Sequence, residues 1–124
     1  MHRYFLIFAA ISGFLTVALG AFAAHALKQQ LSADSLAIFR TGVDYQMFHA
    51  LALLAISLLI KQQPKTTLLK LAGYAFIIGT LLFSCSLYAL ALGAPRAIGI
   101  ITPLGGLGFL TGWLALALFA WRSR

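Results

Sequence analysis

Charged residues in this chain bracket long uncharged runs, and that spacing governs what it can fold into. No charge falls between Arg3 and Lys28, between Asp44 and Lys61, between Lys70 and Arg96, or between Arg96 and Arg122. Three of these gaps exceed the roughly 20 apolar residues that cross a hydrocarbon core of about 30 Å. The second is shorter, and spans if its helix starts near Thr41 and holds Asp44 at the interface. Of the 124 residues, 9% are charged and 62% hydrophobic, against about 25% charged in a soluble domain. Such a chain cannot cover its apolar surface, so its solvent is lipid. No strand-like alternation appears, and in lipid every backbone polar group must be satisfied within its own segment, which selects helices. The expected fold is an all-α membrane protein: a four-transmembrane-helix bundle in a single domain, residues 1–124, with spans at about 4–24, 41–60, 71–92 and 103–121.

The net charge of +7 does not imply nucleic acid, because the basic residues form no stripe with interleaved aromatics. They act instead as topology signals. The N-terminus, second loop and C-terminus hold Arg3, Lys61, Lys65, Lys70, Arg122 and Arg124; the first and third loops hold Lys28, Arg40 and Arg96, beside both acids, Asp34 and Asp44. That bias favours both termini in the cytoplasm, with the lipid bilayer as the protein's first partner. Tyr4, Tyr88, Trp113 and Trp121 lie toward span ends, as interface aromatics do. Arg3, the first apolar run and Ala21-Phe22-Ala23 resemble a signal peptide, but the run is long for a signal core, so a retained first span is expected. Cys85 is the single cysteine, which excludes a disulfide within the chain.

Loops and seams have their own signals. Ser32 suits an N-cap, flanked by the staple pair Leu31 and Leu36, with Asp34 in the first turn. These predict a short interfacial helix in the first loop, from Ala33 to about Phe39, lying on the outer surface. Pro64 stops the second span. After a pause over 97–101, Thr102 as N-cap and Pro103 at the first helical position predict the start of the fourth. Small residues align along three spans: Ala9, Gly13, Thr16, Gly20 and Ala24; Gly73, Thr80, Ser84 and Ala91; Gly105, Gly108, Gly112 and Ala115. Close approach through such residues drives helix association in lipid. Gly13, Gly20, Gly105, Gly108 and Gly112 are thus the expected helix-packing positions, in a compact bundle or a homo-oligomer.

Helix direction gathers the unusual polar residues at the outer end. They are His25, Asp44, Tyr45, Gln46, His49, Ser84, Ser86, Tyr88 and Thr102, while the inner half is almost purely apolar. One reading makes this cluster a shallow outer site, with His49 titrating near neutrality and Gln46, one turn earlier, orienting it. The other makes it a hydrogen-bond network tying helices together. Metal or haem ligation is disfavoured: His25 and His49 differ in depth by roughly 8 Å, and only two plausible ligands converge. No cofactor is expected. No catalytic triad, phosphate-cradling loop or zinc-protease motif occurs, and no acid lies deep in the bundle to couple proton export.

Four ordered segments carry a family resemblance. Gly20-Ala21-Phe22-Ala23-Ala24-His25-Ala26-Leu27, Thr41-Gly42-Val43-Asp44-Tyr45-Gln46-Met47-Phe48-His49-Ala50, Phe83-Ser84-Cys85-Ser86-Leu87-Tyr88 and Ile101-Thr102-Pro103-Leu104-Gly105-Gly106 resemble the signature segments of a small uncharacterised bacterial inner-membrane family, domain of unknown function 423 (YgdD-like). Cys85 stands where that family more usually has glycine. The resemblance implies four spans and no assigned activity, and supplies no catalytic residue.

The expected role is a non-enzymatic bundle, oligomeric or accessory to a membrane protein partner. A small transporter or channel using the outer cluster is the alternative, and a membrane enzyme acting on lipid or quinone comes third. Reporter fusions test the topology: Gln63 and the C-terminus should read cytoplasmic, and Gln30 external. An external C-terminus would reverse the orientation.

Overall fold

The computed structural model describes residues 2–123. Four helices carry the chain: α1 (His2–Gln30), α2 (Ala33–Gln62), α3 (Thr67–Ala91) and α4 (Arg96–Arg122), each long and apolar enough to cross a membrane. No strand occurs among the described residues. At 29 and 30 residues, α1 and α2 are each about 45 Å long, well beyond a hydrocarbon core of about 30 Å. The excess lies at the end that carries Lys28, Asp34 and Arg40.

Only Leu31 and Ser32 separate α1 from α2. Ser32 caps α2 as its sequence predicts: its hydroxyl accepts the Ser35 N–H at 3.1 Å and its carbonyl the Leu36 N–H at 2.9 Å. The expected separate surface helix is not there. Residues 33–39 are the first turns of an unbroken helix that runs to Gln62. Packing supplies the reason. Leu31, Leu36, Phe39 and Val43 join Leu19, Ala23, Leu27, Tyr88 and Ala91 in a small apolar cluster, which holds these turns upright against α1. Within α1 a π turn over Ala23–Leu27 directs Ala23 and Leu27 inward and leaves His25 exposed.

The start of α4 also differs from expectation. Residues 97–101 are not a pause: Arg96–Ile100 is a 3-10 turn that becomes α-helical at Ile101. Pro103 then falls in the first α turn, where no carbonyl requires its missing N–H. Thr102 is released from capping, and its hydroxyl bonds Ser86 of α3 instead.

The helices pack in chain order, α1 on α2, α2 on α3 and α3 on α4, the last pair most extensively. Phe5, Leu53, Ile56, Ile60, Leu69, Phe76 and Phe119 form a buried apolar core in the half opposite the polar cluster. Glycine sets the closest approaches. A Cβ on Gly105 would lie 2.3 Å from the Phe83 nitrogen, one on Gly108 3.2 Å from the Gly79 Cα, and one on Gly112 2.4 Å from the Phe76 ring. Gly73 sits beneath the Phe5 ring, Gly79 beneath Phe109, and Gly42 beneath Tyr88. Gly20 makes an ordinary contact, 3.6 Å to Val43. Gly13 departs from the expected seam: a Cβ there would meet nothing within 4 Å, because α1 and α2 leave a gap beside it.

These environments predict opposite outcomes for one substitution. Gly105→Ala should destabilise by about 1–3 kcal/mol, because it collides with backbone rather than a movable side chain. Gly13→Ala should be neutral or gain about 0.5–1 kcal/mol of helix stability. Thermal unfolding in mild detergent checks both; equal melting temperatures would contradict the seam.

Candidate functional site

The up-down topology brings the ends of α1 and α3 beside the starts of α2 and α4, so the nine polar residues share one end of the bundle. They do not converge on a single point. Most resolve into bonds between particular pairs of helices.

Gln46 forms the widest junction. Buried to 6% exposure, its Nε2 donates to the Ser12 hydroxyl at 3.1 Å and to the Ser12 carbonyl at 3.3 Å, and its Oε1 accepts the Tyr88 hydroxyl at 2.6 Å. One amide thereby links α1, α2 and α3. Ser84, fully buried, donates to the Gly42 carbonyl at 2.7 Å, joining α3 to α2. Ser86 and Thr102 join α3 to α4 through their hydroxyls.

His49 makes the fourth tie. Its Nδ1 lies 2.7 Å from the Tyr45 carbonyl, and its Nε2 accepts the Trp113 indole N–H at 3.0 Å, which joins α2 to α4. A carbonyl only accepts and an indole only donates, so both bonds are met by the neutral imidazole with its hydrogen on Nδ1. A second proton, on Nε2, would oppose two donors. The ring also stacks on Phe109, with centroids 3.5 Å apart and planes within 8°. The Phe76 ring meets it edge-on at 5.3 Å.

This geometry corrects one expectation. Gln46 does not orient His49; it points toward α1 and α3, while His49 points toward α4 and is oriented by Tyr45 and Trp113. The remaining three candidates stand outside the ties as side chains. His25 and Asp44 are exposed, and Tyr45 packs its exposed ring against Phe83 with centroids 4.7 Å apart. Sequence reading missed Ser12, Phe109 and Trp113. Ser12 had a usable signal, since Phe5, Ala9, Ser12 and Thr16 repeat at helical spacing and form the buried stripe of α1. Trp113 resembled an interface aromatic, and nothing in the sequence distinguishes that role from a donor to histidine.

Among the described residues, no group of three His, Cys, Asp or Glu side chains converges, and no buried polar side chain lacks a partner. Two apolar recesses flank the ties. A cavity of about 170 Å³ between α1 and α3 is lined by Phe8, Leu15, Leu81 and Cys85, with Ser12 and Gln46 also on its wall. A larger groove, about 530 Å³, runs between α2 and α4 along Tyr45, His49, Phe83, Phe109 and Trp113.

Residues 19–106 match the family model described as "Protein of unknown function (DUF423)". The chain is 47% identical over its whole length to the "UPF0382 membrane protein" of Haemophilus influenzae, covering 98% of that protein. It is 44% identical to the "UPF0382 inner membrane protein YgdD" of Escherichia coli K12, over 98% of this chain and 92% of the relative. Against the "UPF0382 membrane protein YwdK" of Bacillus subtilis the identity is 37%, over 95% and 96%. No solved structure matches.

The three-helix junction yields a graded prediction. Tyr88→Phe removes one hydrogen bond and should cost about 1 kcal/mol. Gln46→Leu strands both the Ser12 and the Tyr88 hydroxyls and should cost about 1–3 kcal/mol. Unfolding of both variants in detergent checks the order, and a Gln46→Leu protein as stable as the parent would remove the junction.

Proposed function

We propose, for a chain that belongs to the DUF423 family of membrane proteins of unknown function, that it works as a non-enzymatic bundle of the bacterial inner membrane. Both termini face the cytoplasm, and the chain acts by assembly, with copies of itself or with a larger membrane complex. The observation that carries this reading is the use of the outer polar groups. Gln46, His49, Ser84, Ser86, Tyr88 and Thr102 all bond to other helices, and buried groups engaged in this way serve position rather than turnover.

Transport is supported less well. The opposite half of the bundle is filled by Phe5, Leu53, Ile56, Ile60, Leu69, Phe76 and Phe119. Its one buried hydroxyl on α2, Ser57, is turned onto the Leu54 carbonyl of its own helix at 2.7 Å. A path through a single copy would have to displace that core.

Purification in mild detergent, followed by mass spectrometry of the intact complex, tests the assembly reading. A stoichiometric oligomer or a co-purifying membrane protein is expected, with proteoliposome ion and proton flux at background. His49→Gln should keep the melting temperature close to the parent, because an amide still donates and accepts, whereas His49→Leu should lose about 1 kcal/mol. A pH-driven flux that a folded His49→Gln protein abolishes would overturn the proposal in favour of transport.

A further inference from the structure

The rim where α1 and α3 begin and α2 and α4 end carries Arg3, Lys61, Lys65, Lys70 and Arg122, and no Asp or Glu. The chain's two acids, Asp34 and Asp44, belong to the opposite end. From Asp44 to Lys61 the helical rise alone is roughly 25 Å at about 1.5 Å per residue, several times the Debye length of about 8 Å in physiological salt. Positive charge on this rim therefore has no acidic side chain within reach.

The same rim contains a cavity of about 200 Å³, between the α2–α3 loop and the end of α4. Gln63, Thr66, Arg122 and Ser123 form its polar wall, and Leu68 and Phe119 its apolar one. Thr66 is the N-cap residue of α3, yet its side chain makes no capping bond, so a hydroxyl and a helix N-terminus border the cavity beside an arginine. A helix start favours negative charge, and a guanidinium matches the two oxygens of a phosphate with its planar fork. A topology signal needs only charge at a span end. It has no use for a recess that is polar on one side and apolar on the other.

We propose that this cavity binds the phosphodiester headgroup of an anionic phospholipid from the adjoining leaflet. Arg122 and Thr66 would meet the phosphate, and Leu68 and Phe119 the glycerol and first methylenes. Basic pockets between membrane helices take anionic lipids by this combination. The inference is independent of the role proposed above and holds whichever side this rim faces.

The test uses the full chain in a neutral mild detergent, titrated separately with phosphatidylglycerol, phosphatidylcholine and inorganic phosphate. Bound lipid is read by native mass spectrometry and stability by thermal unfolding. Phosphatidylglycerol should be retained and should raise the melting temperature, and phosphatidylcholine should do neither. Arg122→Gln should weaken phosphatidylglycerol binding about fivefold or more, and Lys28→Gln, on the opposite rim, should leave it unchanged. Arg122→Lys keeps the charge without the fork and should fall between. Equal retention of the two lipids, equal losses for Arg122→Gln and Lys28→Gln, or unaltered binding by both Arg122 variants would overturn the proposal. Inorganic phosphate stabilising as strongly as the lipid would also overturn it, in favour of a free-anion site.

Discussion

Helices in lipid gain little from covering apolar surface, since acyl chains are as apolar as leucine; they associate by coming close. In this bundle α3 and α4 come closest along Gly79, Gly105 and Gly108: a Cβ on Gly105 would stand 2.3 Å from the Phe83 nitrogen, and one on Gly108 3.2 Å from the Gly79 Cα. The rest of the polar half follows from that contact. The absent side chain at Gly79 admits the Phe109 ring, and Phe109 in turn is the surface on which His49 stacks. That stack holds the imidazole where the Trp113 indole reaches it. A backbone contact between α3 and α4 thus fixes a side chain on α2, two packing layers away.

The polar ties add direction to this packing. Each interhelical hydrogen bond in a membrane contributes on average about 0.6 kcal/mol, too little for any one of them to hold the fold. Their value lies in discrimination. A glycine seam tolerates sliding by a turn, whereas Gln46 is satisfied only when Ser12 and Tyr88 arrive together from opposite sides. Four ties at one end and a plain apolar core at the other divide the labour: one half sets register, the other fills space.

Much of this was legible in the residues. The charge gaps gave the four spans, Ser32 gave the start of α2, and helix direction gave the gathering of polar groups at one end. What stayed hidden was azimuth. A helix with lipid on one side and helices on the other is apolar all round, so its sequence says little about which face meets which neighbour. Gln46 and His49 lie three residues apart and read as one face, yet they serve different helices. Gly13 and Gly105 read as equivalent, yet one borders a gap and the other touches backbone. The upright start of α2 was hidden for a related reason. Leu31 and Leu36 announce a staple, but only the contact with Leu27 and Ala91 shows that it clamps the helix against α1 instead of laying it on the surface.

Packing in chain order bears on how the protein enters the bilayer during synthesis. When Gln46 arrives, Ser12 is already present on the preceding span to take its amide hydrogens, and Tyr88 follows on the next. Ser84 finds the Gly42 carbonyl waiting, and Thr102 finds Ser86. The exception is His49. Its Nδ1 is served at once by the Tyr45 carbonyl of its own helix, but its Nε2 stays without a donor until Trp113 emerges, 64 residues later. At about 5–20 residues per second that interval lasts roughly 3 to 13 seconds. Once Tyr88 is in place, that nitrogen is the one acceptor among these ties still open, and it stays so until the fourth helix brings the Trp113 indole to it.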